Sequence, residues 1–222
     1  ELALPAARKY ASIAPSSAHA LHMPSHIFTR LGLWEESINS NLASVASAQC
    51  YAEQTGIKGH WDEELQGLDY LVYAYLQRGQ NELAKNQWDY LKTIKMVSPT
   101  NFKVAYAFAS VPSRYVLENK LWKEAANLQP LNPNLQWNEY PWQKAIIHFT
   151  RALGAVHIDN LSAAETEIKS LRSCYDTLLV MKDEYKANEV LIQVKAAEAW
   201  LLFKQGKTDD ALKQMYVAAD ME

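Results

Sequence analysis

The sequence predicts an all-α fold, a right-handed α-solenoid of about five antiparallel helix pairs. Only 7 glycines and 8 prolines occur among the 222 residues, and they are clustered. Between the clusters the apolar residues follow helical spacing, since "LDYLVYAYL" and "AAEAWLLF" place them at i, i+3, i+4 and i+7 steps. No segment alternates for long enough to predict a sheet strand. A short motif that recurs along the chain divides these helices into pairs.

The recurring motif appears five times, as "GLWEES", "GQNELA", "KLWKEA", "DNLSAA" and "GKTDDA". Its first residues lie 79−32=47, 120−79=41, 159−120=39 and 206−159=47 positions apart, and a helix is expected on either side of each. A small residue at the end of the motif lets the second helix pack closely on the first. Pairs that cannot bury an apolar face alone are expected to stack as one domain over residues 1–222. The first residues are Gly32, Gly79, Lys120, Asp159 and Gly206, and the small residues are Ser37, Ala84, Ala125, Ala164 and Ala211.

One segment departs from this regularity. Residues 127–143, "NLQPLNPNLQWNEYPWQ", contain Pro130, Pro133 and Pro141. Proline interrupts helices, so the sequence predicts a Pro/Trp-rich loop here. Its tryptophans, Trp137 and Trp142, are expected to seal the junction between the third and fourth pairs, although a long ordered loop can also be functional.

The composition argues against two classes of partner. The net charge is only −3, and no run of lysine and arginine is present, so nucleic acid is not an expected partner. No window reaches the roughly 18 uninterrupted apolar residues of a membrane span. The two cysteines, Cys50 and Cys174, fall in apolar helical patterns and are predicted to be buried. The compartment is left undecided.

The stretch "HALHMPSH", residues 19–26, contains three of the six histidines, His19, His22 and His26. Each helical residue advances by about 100°, so the three would share a stripe about 60° wide on an ideal helix. Pro24 complicates this prediction, because the helix must either kink there or begin there. In the second case His19 and His22 would lie on a preceding turn.

The motifs resemble the tetratricopeptide repeat, which has Gly at the turn and Ala five residues later. The match is partial, because the spacing exceeds the usual ~34 residues and Ser37 replaces the first Ala. The chain also resembles one bacterial family of tetratricopeptide-repeat proteins without an established biochemical role. The similar segments are "ALPAARKYASIAPSSAHALHMPSHIFTRLGLW", "DYLVYAYLQRGQ", "VPSRYVLENKLWKEAANL" and "KAAEAWLLFKQGKTDDAL", of which "HALHMPSHIFTRLG" is the most specific. The resemblance, with an N-terminus that reads as the middle of a helix, implies a fragment of a longer protein.

The resemblance also implies a ligand-binding groove. In tetratricopeptide proteins, positions 13, 10 and 6 before the turn face a concave surface that holds peptides. We therefore expect a scaffold that binds a protein or peptide segment with a polar or anionic end and an apolar tail. Arg30 and Arg114 could fork onto a carboxylate or phosphate, or Arg30 could pair with Glu35. The polar half of this groove comprises His19, His22, His26, Arg30, Asp69, Tyr73 and Arg114, and the apolar half comprises Phe149, Leu153 and Trp200.

Two alternatives stay open for the histidines. They could be packed or capping residues with a structural role. They could also hold a divalent metal such as zinc in an enzyme or a small-molecule binder, with His19, His22, His26 and Asp69 as ligands. The spacing lacks the glutamate of a zinc-protease motif, and neither a phosphate-binding loop nor a nucleophile elbow is visible. No catalytic residue is therefore predicted, no other cofactor is expected, and an enzyme is the less favoured class. His148 and His157 are isolated and expected to be structural.

Overall fold

A computed structural model describes residues 2–132 and 134–222, and helices dominate both ranges. The predicted all-α class is confirmed. In these ranges β structure is limited to two strands of two residues each, and no helix combines the length and apolarity that crossing a bilayer requires. The chain forms two compact units, Glu1–Tyr115 and Val116–Glu222. The single domain expected over residues 1–222 stays a prediction, and each unit is described by itself.

The first unit is built from packed helices and one short strand pair. The strands are parallel, with His60 opposite Val97 and Trp61 opposite Ser98. Its elements are α1 (Leu4–Ile13), α2 (Ala18–His22), α3 (Ser25–Arg30), α4 (Trp34–Thr55), β1 (His60–Trp61), α5 (Asp62–Gln77), α6 (Asn81–Thr93) and β2 (Val97–Ser98), followed by α7 (Phe102–Glu118), which runs past the end of the unit.

The second unit packs its long helices around an aliphatic core. Leu171 and Leu178 of one helix meet Val190 and Val194 of the next, and all four are buried. Gly154 allows a close approach, because a Cβ atom there would lie 2.2 Å from the backbone nitrogen of Ala126. The elements are α8 (Trp122–Ala126), a 3₁₀ turn (Trp137–Glu139), α9 (Pro141–His157), α10 (Leu161–Val180), α11 (Glu184–Lys204) and α12 (Thr208–Met221).

The five recurring motifs share one backbone geometry. Each first residue has a left-handed φ, with values of 70° at Gly32, 66° at Gly79, 53° at Lys120, 60° at Asp159 and 78° at Gly206. In each turn the next amide donates to the carbonyl five residues before it, at 2.8 to 3.0 Å, which closes the helix end in the Schellman manner. The small residues that end the motifs are all buried: Ser37, Ala84, Ala125, Ala164 and Ala211.

Two local expectations, for the loop and for Cys50, need correction, and the structure also describes the backbone at Pro24. The loop predicted over 127–143 ends earlier, because α9 begins at Pro141 and therefore includes Trp142; proline is comfortable in the first turn of a helix. Pro133 of that loop lies outside the described residues. Met23 keeps helical angles (φ −52°, ψ −38°) before Pro24, so the chain passes from α2 to α3 through two helical residues. Cys174 is buried as predicted, but Cys50 is exposed.

Candidate functional site

His22 is the buried member of the histidine cluster. Its side chain is fully covered, and Nδ1 donates to Oδ1 of Asn41 at 2.6 Å. The Asn41 amide in turn donates to the carbonyl of Ser37 at 2.7 Å, which fixes the orientation of the amide. Burial lowers the pKa of His22 to about 4, against the opposing effect of the Asn41 hydrogen bond. His22 is therefore neutral at pH 7, and its buried ring supports the side chains of His26 and Tyr70 that pack against it.

His26 and Tyr70 lie against His22. The ring centroids of His22 and His26 are 4.9 Å apart, and those of His22 and Tyr70 are 4.6 Å apart, both edge to face. The Tyr70 hydroxyl lies 2.7 Å from Nδ1 of His26. Burial lowers the pKa of His26, and burial raises the pKa of Tyr70 to about 12. Both groups are thus neutral at pH 7, and with the phenol donating to Nδ1 the imidazole carries its proton on Nε2.

His19 connects the cluster to the beginning of α5. Its side chain is 54% exposed, and Nδ1 lies 3.2 Å from Oε2 of Glu63. Glu63 also accepts from Lys103 at 2.5 Å, and the same ammonium lies 2.7 Å from Oδ2 of Asp62. Burial opposes the charge on Lys103, but the hydrogen bonds to Asp62 and Glu63 outweigh it and raise its pKa. One lysine from α7 thus bridges two carboxylates in the first turn of α5.

Asp69 and Arg114 form the second charged contact between α5 and α7. Asp69 is buried; its Oδ1 accepts from Ser110 at 2.5 Å and forms an ion pair with Arg114. The guanidinium carbon of Arg114 lies 5.3 Å from the ring centre of Tyr73 and 5.7 Å from that of Tyr106. Burial alone would lower the pKa of Arg114, but Asp69 and the tyrosines raise it. Arg114 is held as a cation between two aromatic rings.

Arg30 differs from the other cations of this region. It is exposed, and no hydrogen bond or ion pair of its side chain occurs within the described part of the chain. Glu35, the partner that it could have had, pairs with Arg78 instead. Arg30 is therefore a positive charge that is available to a ligand.

These contacts bring most of the predicted site residues together in the first unit. We call the surface that they form the histidine–arginine face. His19, His26, Arg30, Asp69, Tyr73 and Arg114 belong to it or support it directly, whereas His22 lies beneath it. Its additional members, which the sequence analysis missed, are Glu63, Tyr70, Lys103, Tyr106 and Ser110.

The predicted apolar half of the groove falls in the second unit. Phe149 packs against the core of that unit. The carbonyl of Leu153 accepts from Nδ1 of His157 at 2.8 Å, and the ring of Trp200 lies 4.9 Å from that of His157. His157 also stacks on Trp122 at 3.8 Å, which agrees with the structural role expected for it.

In residues 2–132 and 134–222, no three His, Cys, Asp or Glu side chains are grouped closely enough to hold a metal ion. Asp69 instead bonds Ser110 and Arg114. Comparisons of the chain with protein-family models, with curated proteins and with solved structures gave no match. The function is therefore inferred from the side-chain geometry of the histidine–arginine face.

Proposed function

We propose that the first unit binds a protein or peptide segment on the histidine–arginine face and that the chain acts as an interaction scaffold. The observation that carries this proposal is the convergence of side chains from α2, α3, α5 and α7 around exposed donors. Arg30 is exposed and free of internal partners, and His19 is more than half exposed. Protein ligands of helical repeats are recognised by such surfaces, where several helices each contribute one or two side chains.

Arg30 favours a ligand with an acidic group. Lys103 is shared by the carboxylates of Asp62 and Glu63, and Arg114 pairs with Asp69, so these internal contacts leave one negative charge on the face. Arg30 is an exposed cation, and within the described residues its guanidinium pairs with none of these carboxylates. A carboxylate or phosphate on the ligand would satisfy this guanidinium through two parallel hydrogen bonds. The rings of Tyr73 and Tyr106 lie beside Arg114 and add flat apolar surface to the face.

The repeat assignment is part of the same proposal. We infer that the helix pairs are tetratricopeptide-like and that they follow one another as a right-handed α-solenoid. We also infer that the chain is a member of the bacterial family named in the sequence analysis. The five left-handed turns and the buried small residue after each of them support the repeat. The turns alone are general helix endings, so the sequence similarity carries the family assignment.

The binding proposal can be tested with a random peptide library displayed on phage and selected against the full chain. Selected peptides would be titrated against the Arg30→Gln and His19→Gln variants, because these side chains are exposed and their loss strands no buried charge. Losing one charge-assisted contact should weaken binding at least about tenfold. Arg8→Gln is the matched control, since Arg8 is an exposed arginine paired with Glu36 elsewhere on the unit. Equal affinity in all variants would refute the face as the site.

One observation favours the metal alternative enough to keep it as a second candidate. Nε2 of His22 is buried and has no hydrogen-bond partner in the described residues, and a neutral imidazole nitrogen is a good zinc ligand. The test is elemental mass spectrometry on protein purified without a histidine tag, beside a His19→Ala/His22→Ala variant. A near-stoichiometric ion that the variant loses supports the metal centre, whereas metal-free protein in both preparations rejects it.

A further inference from the structure

The second unit contains a pocket that the proposed function does not use. It lies between α9 and α10 beside the 3₁₀ turn and has a volume of about 410 Å³, which is within the range of small-molecule sites. Its walls are formed by Asn138, Pro141, Lys144, His148, Ser170, Ser173, Cys174 and Thr177. This set contains one lysine and one histidine but no carboxylate, so its charge suits an anion.

His148 is held in a fixed orientation at this pocket. Its Nδ1 lies 2.6 Å from Oε2 of Glu167, and the other oxygen of Glu167 lies 3.8 Å from a guanidinium nitrogen of Arg151. Arg151 is itself anchored, because its Nε donates to the carbonyl of Leu128 at 2.6 Å. This chain of contacts occupies Nδ1 and leaves Nε2 of His148 for the pocket.

The opposite wall supplies hydroxyl groups from α10. Ser170, Ser173 and Thr177 follow one another at steps of three and four residues, so they share one side of the helix. The Thr177 hydroxyl donates to the carbonyl of Ser173 at 2.8 Å. The Ser173 hydroxyl has no hydrogen bond within the described part of the chain, so it can donate to a ligand. Cys174 adds no negative charge, since burial raises the pKa of its thiol to about 11.

We propose that this pocket binds a small organic phosphate, with the phosphate group between Lys144, His148 and Ser173. Lys144 and Ser173 donate from two facing helices, and His148 adds an Nε2–H donor in its imidazolium form, in which Nδ1–H stays on Glu167. These groups can bind different oxygens of a single tetrahedral group, which a flat carboxylate would satisfy less completely. Lys144 is within reach, because in residues 2–132 and 134–222 its ammonium donates only to the exposed side chain of Asn138, at 2.9 Å. The volume exceeds that of a phosphate ion, so the organic part lies toward Pro141 and Cys174.

The experiment is calorimetric titration of the full chain with phenyl phosphate, inorganic phosphate and benzoate, while nuclear magnetic resonance follows the carbon-bound ring protons of His148. We expect phenyl phosphate to bind saturably, to shift the His148 signals and to bind more tightly than the other two probes. A lack of saturation at millimolar concentrations, or benzoate binding as tightly as phenyl phosphate, overturns the proposal.

Two variants and a matched control localise the binding. Lys144→Met should weaken phenyl phosphate binding at least about tenfold. His148→Gln keeps a donor for Glu167 and should weaken binding as well. Lys213→Met removes the same charge from an exposed position on α12 and should leave the affinity within about twofold, which is the tolerance for a surface charge away from the pocket. Equal losses in Lys144→Met and Lys213→Met would indicate general electrostatic attraction and refute the site. Thermal unfolding of each variant confirms that it is folded.

Discussion

Gly206 and Lys120 occupy equivalent turn positions in the second unit. Adding a side chain at Gly206 and removing the one at Lys120 should change the free energy of unfolding in opposite directions. Both have left-handed backbone angles, with φ of 78° at Gly206 and 53° at Lys120. A Cβ atom at Gly206 would meet no other atom within 4 Å. Gly206→Ala therefore measures the conformational cost of a side chain in the left-handed region, and Lys120→Gly measures the stability gained when that cost is removed.

The size of both effects follows from two opposing contributions. A residue with a Cβ atom in the left-handed region costs about 1–2 kcal/mol, while replacing glycine by alanine lowers the entropy of the unfolded chain and returns about 0.4–1 kcal/mol. Gly206→Ala should thus lower the free energy of unfolding by about 1 kcal/mol, and Lys120→Gly should raise it by about 1 kcal/mol. In a chain of 222 residues, each change corresponds to a shift in Tm of about 2–4 °C.

The assay is urea unfolding followed by circular dichroism, supported by calorimetry of the same proteins. The double variant should return to the wild-type value within about 0.5 kcal/mol, because distant sites add independently. Shifts of the same sign in the two single variants would refute the argument from backbone angles. So would an alanine at Gly206 without measurable cost.

Two further predictions concern close packing and pH. Gly154→Ala should destabilise the second unit by about 2–3 kcal/mol in urea unfolding, which is more than Gly206→Ala. The reason is that the added Cβ atom would lie 2.2 Å from the backbone nitrogen of Ala126. A loss of stability no larger than that of Gly206→Ala would contradict the close approach. His22 has its pKa lowered from 6.5 to about 4, so the unfolded chain binds the proton first as the pH falls. The contribution of neutral His22 to the free energy of unfolding is complete above pH 6.5 and is lost toward pH 4, by about 3 kcal/mol in total. Urea titrations at pH values down to about 5.5 should show the beginning of this loss. The His22→Gln variant should lack it.

The turns were predictable from sequence because their causes are local. Lys120 and Asp159 carry no glycine signal, yet the buried alanine five residues later identified both as turn positions. The start of α9 at Pro141 was equally accessible, because proline favours the first turn of a helix. The loop prediction is wrong there because it treats Pro141 as a helix breaker, although the same analysis allows a helix to begin at Pro24.

The site was less predictable, because its partners come from distant parts of the chain. That His22 is buried depends on Asn41, which lies 19 residues away on α4. Glu63 lies about 120° around α5 from Asp69 and about 80° from Tyr73, outside the stripe of groove positions, so the spacing of those positions does not predict it. The ammonium of Lys103 lies beside Glu63 because α5 and α7 are neighbours in space, and no sequence period encodes that distance.

The short strand pair of the first unit has a consequence for how long the histidine–arginine face stays assembled. The amide of His60 donates to the carbonyl of Met96 at 2.9 Å, directly before the helix turn that carries Asp62 and Glu63. We expect that opening of this bridge loosens the start of α5, where both carboxylates contact Lys103. Amide hydrogen exchange at residue 60 would then report local opening beside these charged contacts, which a global melting temperature does not resolve.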